Sequence, residues 1–126
     1  MDKRENAVRY KQNGMNCCQA VLAAYADELG MPVEILKQLG AGFGSGMGGM
    51  DGTCGALCGA EMVLGLKNCK NGPVTKQAKQ IHAAFTQKSG ASICRELKQM
   101  TNGRPLCSCD DCVRNAVDAV EENIHP

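Results

Sequence analysis

No stretch of this chain alternates apolar and polar residues for the length of a strand, whereas apolar residues recur at helical spacing almost throughout. Such a pattern predicts an all-α fold: a single-domain helical bundle of about five to seven helices with no sheet. The 126 residues suffice for one domain with one core, spanning positions 1–126. The chain has two Phe, two Tyr and no Trp. Its core must therefore come from Leu, Ile, Val, Ala, Met and Cys, whose small or flexible side chains suit close helix packing.

The periodicity places a first helix from Asp2 to Asn13, stopping at Gly14. A second runs from Asn16 to Leu29, with Gly30 just beyond its end. Pro32 opens a third through Leu39, proline being favoured at a first helical position. The nearly chargeless, glycine-rich stretch Gly40–Gly52 reads as a loop. Thr53–Leu66 follows with Glu61 as its one charge, and a helix apolar all round is a buried central helix. Pro73 starts a long amphipathic helix with the stripe Val74, Ala78, Ile81 and Phe85. Ser92–Met100 reads as a short helix and Asn102-Gly103 as a turn. The last helix buries Val113, Ala116, Val117, Val120 and Ile124.

The net charge is +1 with acids and bases interspersed, which leaves no basic stripe for nucleic acid and no basic patch for a membrane surface. The longest apolar stretch, Leu57–Leu66, is too short and glycine-broken to insert into a bilayer. The charged start, Met1-Asp2-Lys3-Arg4-Glu5-Asn6, has no apolar region after it, so a cytoplasmic location is expected. That makes the nine cysteines informative. In a reducing compartment thiols serve as packing residues, redox centres or metal ligands rather than as disulfide staples. The odd count also fits poorly with a fully paired framework.

Capping signals sort the nine. Asn16 with Gln19 makes a capping box, so Cys17 falls at the first helical position. Thr53 reads as the N-cap that puts Cys54 first in the central helix, and Ser92 as the cap that puts Cys94 in a first turn. Ser108 with Asp111 makes Cys109 the first residue of the last helix. Free N–H groups and the positive end of the helix dipole stabilise thiolates there. A bundle that gathers several such ends would build an electropositive pocket lined with thiolates, suited to a metal cluster.

Gly14-Met15-Asn16-Cys17, Cys54-Gly55-Ala56-Leu57-Cys58-Gly59, Cys94-Arg95-Glu96-Leu97 and Cys109-Asp110-Asp111-Cys112-Val113 together resemble the C_GCAxxG_C_C family, redox-active proteins named for their C…CGAxxG…C…C cysteines. The resemblance covers nearly the whole chain, and the CGAxxG box is its most specific part. It implies electron transfer or redox chemistry, with Cys17, Cys54, Cys94 and Cys109 as the family's four cysteines. Cys18, Cys58, Cys69, Cys107 and Cys112 are additions to that pattern, of which Cys58, Cys107 and Cys112 are candidates for spare ligands or resolving thiols.

Three functions are open at this point. In the first, Cys17, Cys54, Cys94 and Cys109 hold an iron–sulfur cluster. Backbone N–H groups around Gly46, Gly48, Gly49, Gly52 and Gly55 then approach the bound group, and a redox partner protein exchanges electrons with it. In the second, the same cysteines cycle as dithiol and disulfide without metal, with Cys109 and Cys54 as reactive thiols. In the third, the cysteines bind zinc or simply pack. A homodimer is compatible with each. Cys18 is expected to pack, and Cys69 to be an exposed bystander. Glu61 is expected at a rim, paired with a cation. His82 is expected to be partly buried, and the penultimate His125 to be disordered. Gly44-x-Gly46-x-x-Gly49 matches a dinucleotide fingerprint only by letter, because no strand precedes it.

Overall fold

The computed structural model describes residues 2–124, so His125 lies outside the described residues. Helix α1 (Lys3–Gln12) starts where the Asp2 carboxylate accepts the Glu5 N–H at 2.8 Å. Helix α2 (Cys17–Ala24) starts at a complete capping box. Asn16 Oδ1 accepts the Gln19 N–H at 2.8 Å, and Gln19 Oε1 accepts the Asn16 N–H at 2.9 Å. The helix expected to continue to Leu29 breaks at Tyr25, whose N–H turns to the Leu22 carbonyl. It resumes as α3 (Ala26–Leu29), which closes on a left-handed Gly30. The break lets the buried Tyr25 ring pack while its hydroxyl donates to Glu121 at 2.9 Å.

After Pro32 comes α4 (Val33–Gly40), followed by a 3₁₀ turn at Ala41–Phe43 and a single turn, α5 (Gly44–Met47). Then follow α6 (Gly55–Asn68), a 3₁₀ turn at Cys69–Asn71, α7 (Thr75–Ser89), α8 (Cys94–Leu97) and α9 (Cys109–Asn123). Helix α2 is central, packing on α1, α4, α6 and α9. Its approach to α6 is a backbone contact. A Cβ on Gly59 would lie 2.9 Å from the Cys18 carbonyl oxygen and 3.0 Å from Val21 Cβ. Helix α7 lays Ile81 and Phe85 against α9, which buries Val113, Ala116, Val117 and Val120. Burying each large apolar side chain of this set stabilises by about 1.5–3 kcal/mol.

Two expectations are corrected. The helix expected over Ser92–Met100 shrinks to one turn, and a two-stranded antiparallel sheet follows it: β1 (Met100–Thr101) and β2 (Arg104–Pro105), with Met100 opposite Pro105. Asn102 and Gly103 take φ of 54° and 78°, the left-handed pair that a two-residue hairpin requires. Two-residue strands are too short to show alternation, so the pattern that signals sheet never develops.

Candidate functional site

The described fold brings cysteine-bearing helix starts together at one end of the bundle. Cys17, Cys94 and Cys109 are the first residues of α2, α8 and α9. Cys54 differs from expectation, because it is itself the N-cap of α6. The expected cap, Thr53, instead bridges to Ile93, and the Cys54 N–H donates to the Ser92 carbonyl at 2.8 Å. Ser92 is thereby drawn off its expected capping duty, and Ile93 precedes α8. At Ser108 the expected cap forms, its Oγ accepting the Asp111 N–H at 3.1 Å.

All nine cysteines are free thiols. Cys17 and Cys109 lie within hydrogen-bonding reach, and Cys112 lies within reach of both Cys54 and Cys107. The Cys112 thiol also approaches the Cys107 carbonyl at 3.8 Å. Each contact polarises its partners. The Cys17 thiol stabilises a Cys109 thiolate, overcoming the opposing effect of burial with help from Lys98, and brings Cys109 down to about 5. Cys17, the donor, is pushed up by that contact and by burial. The Cys112 contact likewise lowers Cys54, with further help from the Ala56 and Leu57 N–H groups at the α6 start. Cys112 is raised by its contacts with Cys107 and Cys54 and by burial. Cys94 is raised by burial and by the neighbouring Cys54 charge.

Lys98 is the cation that reaches most of this cluster, with Lys11 acting on Cys17 and Cys109 and Arg95 on Cys94. Lys98, half-buried at the end of α8, donates from Nζ to the Cys107 carbonyl at 3.3 Å and stands 3.9 Å from Cys112 Sγ. Burial works against its charge, but the neighbouring sulfurs of Cys112, Cys109 and Cys54 outweigh burial and hold it protonated. Sequence reasoning missed Lys98. The only hint is its place one helical turn after Cys94, and its role depends on how α9 crosses α8. Of the additional candidates, Cys112 and Cys107 both lie in contact with the cluster.

The glycine stretch is tied to α8. The Cys94 N–H donates to the Gly52 carbonyl at 3.0 Å and the Arg95 N–H to the Met50 carbonyl at 2.8 Å. Arg95 Nε bonds Asp51 at 2.9 Å. Four successive residues, Ser45, Gly46, Met47 and Gly48, have φ of 53°, 60°, 62° and 93°, so α5 winds left-handed through its middle. A Cβ on Gly46 would lie 2.7 Å from Cys94 Cβ, so only glycine lets the loop backbone pass this close to a cluster cysteine. Gly52 packs against the Gly46 backbone, and Gly55 against the Phe43 carbonyl and Cys18. Gly48 and Gly49 face open space.

Three thiols lie apart. Cys18 is fully buried against Met62, and burial pushes it up to about 12. Cys58 lines an apolar cavity of about 390 Å³ with Phe43, Leu57 and Glu61, and burial pushes it up to about 11. Cys69 is exposed. Glu61 does not make the rim ion pair expected of it. Its Oε1 is buried without a hydrogen-bond partner among the described residues, and burial raises the carboxyl to about 7. His82 is exposed rather than partly buried. Among the described residues no three Cys, His, Asp or Glu side chains form a ready-made metal-ion site. Nor is any helix among them long and apolar enough to cross a membrane.

A family model described as "Putative redox-active protein (C_GCAxxG_C_C)" matches residues 15–123. The chain belongs to this family. No curated protein and no solved structure matches it. The matched span contains the whole thiol cluster, from Cys17 on α2 to Cys112 on α9.

Proposed function

We propose that this member of the C_GCAxxG_C_C family works by thiol–disulfide exchange, with Cys17–Cys109 and Cys54–Cys112 as its dithiol pairs. The observation that carries this reading is the pairing itself: each polarised thiol has a second thiol within hydrogen-bonding reach. Cys109, as thiolate, attacks one sulfur of an oxidised partner, forming a mixed disulfide and releasing the partner's other sulfur as a thiol. Cys17 gives up its proton and attacks Cys109 Sγ. The Cys17–Cys109 disulfide forms and the second partner thiol leaves. Two protein thiols have then lost two electrons and two protons, and the partner disulfide has gained them. Lys98 holds the attacking sulfur charged without consuming a proton.

The experiment is thiol counting. Reduced protein, alkylated and weighed before and after treatment with one equivalent of a disulfide oxidant, should lose two alkylation sites per pair, mapped to Cys17 with Cys109 or Cys54 with Cys112. An unchanged count of nine rejects the reading.

A second reading rests on the four helix starts. Cys17, Cys54, Cys94 and Cys109 each occupy the electropositive end of a different helix, and thiolates held by N–H groups are the donor set that iron–sulfur clusters and zinc use. In that case these four residues hold the group, which supplies one-electron chemistry if it is a cluster, and the Gly46–Gly52 loop shields it beside Cys94. Protein purified without oxygen would then carry iron and acid-labile sulfide and absorb visible light. Metal-free, colourless protein after anaerobic reconstitution removes this reading.

A further inference from the structure

On the far side of Cys107 from the thiol cluster is a second, polar cavity of about 630 Å³, within the range of small-molecule sites. Lys88, Ser89, Arg104, Cys107, Asp111 and Asn115 are among its lining residues. Its wall is ordered around a thiol. Ser89, only 4% exposed, accepts the Asn115 amide N–H at 2.9 Å, and the same Asn115 nitrogen lies 3.7 Å from Cys107 Sγ. Ser89 itself hydrogen-bonds the Cys107 sulfur. Two buried or half-buried polar side chains thus hold one sulfur at the cavity wall, and that sulfur also touches Cys112 behind it.

The charges of this cavity are unbalanced. Lys88 is paired with Glu122 at 2.8 Å, and Asp111 with Arg114 at 2.9 Å. Arg104, carried into the cavity by the β1–β2 hairpin, has no ion pair among the described residues. A cavity with a held thiol and one unspent cation selects a molecule that both reacts with thiols and carries negative charge.

We infer that this cavity is the entry site for a small carboxylate-bearing disulfide, bound through Arg104 and attacked by Cys107. This rests on the dithiol reading and adds to it a substrate class and a third working thiol. As thiolate, Cys107 forms a bond to one substrate sulfur. The substrate S–S bond breaks, and the leaving sulfur takes a proton. Cys112 then loses its proton and attacks Cys107 Sγ, forming the Cys107–Cys112 disulfide and releasing the second substrate thiol. One disulfide has become two thiols, and two cysteines have become one disulfide. Attack by Cys54 on Cys112 would carry that disulfide inward and restore Cys107.

The test uses the reduced full-length protein under nitrogen with three probes: dithiodiglycolate, a dianion; 2-hydroxyethyl disulfide, neutral; and cystamine, a dication. The rate of modification at Cys107 is read by acid quench and peptide mapping, and divided by the rate at the same residue in the urea-unfolded chain. The folded-to-unfolded ratio should be about tenfold or more higher for the dianion than for the dication. Arg104→Gln should bring the three ratios together without changing the neutral one. Cys112→Ser should accumulate the mixed disulfide on Cys107. Equal ratios for the three probes, or no modification of Cys107, overturn the inference. The same maps read the dithiol proposal separately. A Cys17–Cys109 disulfide with charge-blind Cys107 chemistry sinks the entry site alone, whereas absence of Cys17–Cys109 under excess neutral oxidant sinks the dithiol reading.

Discussion

Cys17 and Cys18 are neighbours in sequence, and Cys54 and Cys58 are one helical turn apart, yet the two members of each pair occupy different chemical worlds. Cys17 and Cys54 face the cluster of helix starts, where a second thiol stands within reach of each and Lys98 serves Cys54. Cys18 and Cys58 face apolar side chains around Met62 and Leu57, and burial pushes both well above the ordinary thiol range. The comparison teaches that cysteine identity decides little. A thiol becomes reactive through a donor and a cation, and becomes inert filler when burial is not offset by either.

The largest effect expected concerns how the reactive side is held. Gly46→Ala puts a Cβ 2.7 Å from Cys94 Cβ on a residue with φ of 60°, so it should destabilise by about 3 kcal/mol in urea unfolding. If stability is unchanged, the loop does not hold Cys94. On the inert side, Cys18→Ser buries a hydroxyl against the Met62 sulfur, a weak acceptor. It should cost about 2 kcal/mol while leaving the alkylation profile of Cys109 unchanged. A shift in that profile would mean the two regions are coupled.

Lys98→Met tests the cation. The pH midpoint of Cys109 alkylation, near 5 in the parent, should rise by about one pH unit, and Lys98→Arg should recover most of the change. An unmoved midpoint would assign the effect to Cys17 and Lys11 rather than to Lys98.

The smallest effect expected is at Glu61, beside Cys58. Its carboxyl is raised by burial from 4.5 to about 7. Between those values the unfolded chain is ionised and the folded one protonated, so the group's contribution is full below pH 4.5 and is lost as pH rises through 7. Glu61→Leu should therefore gain about 1 kcal/mol at pH 8 and nothing at pH 4, measured by urea unfolding at both.

What the sequence made legible is local chemistry. Asn16 with Gln19, and Ser108 with Asp111, are caps made within four residues, and both form as read. The two caps that failed, Thr53 and Ser92, were claimed by each other's segments through the Thr53–Ile93 bridge and the Cys54–Ser92 hydrogen bond. No local rule anticipates a contact across some forty residues of chain. The same limit hid Lys98, an ordinary lysine in sequence that acquires its surroundings only when α9 lays Cys109 and Cys112 against it. Glu61 shows the converse: a lone charge on an apolar helix implied a partner, and packing supplied none.

The left-handed run from Ser45 to Gly48 bears on which building blocks can occupy the loop at all. An L-residue wound this way costs about 1–2 kcal/mol, and no other choice among the coded L-residues removes that cost; only achiral glycine does. The loop's glycines are thus the ribosome's substitute for residues of opposite configuration. In a protein assembled by chemical ligation, D-serine at position 45 and D-methionine at 47 would keep both side-chain chemistries while matching the hand of the turn. At positions 45 and 47, handedness rather than size or polarity governs what this segment beside Cys94 accepts.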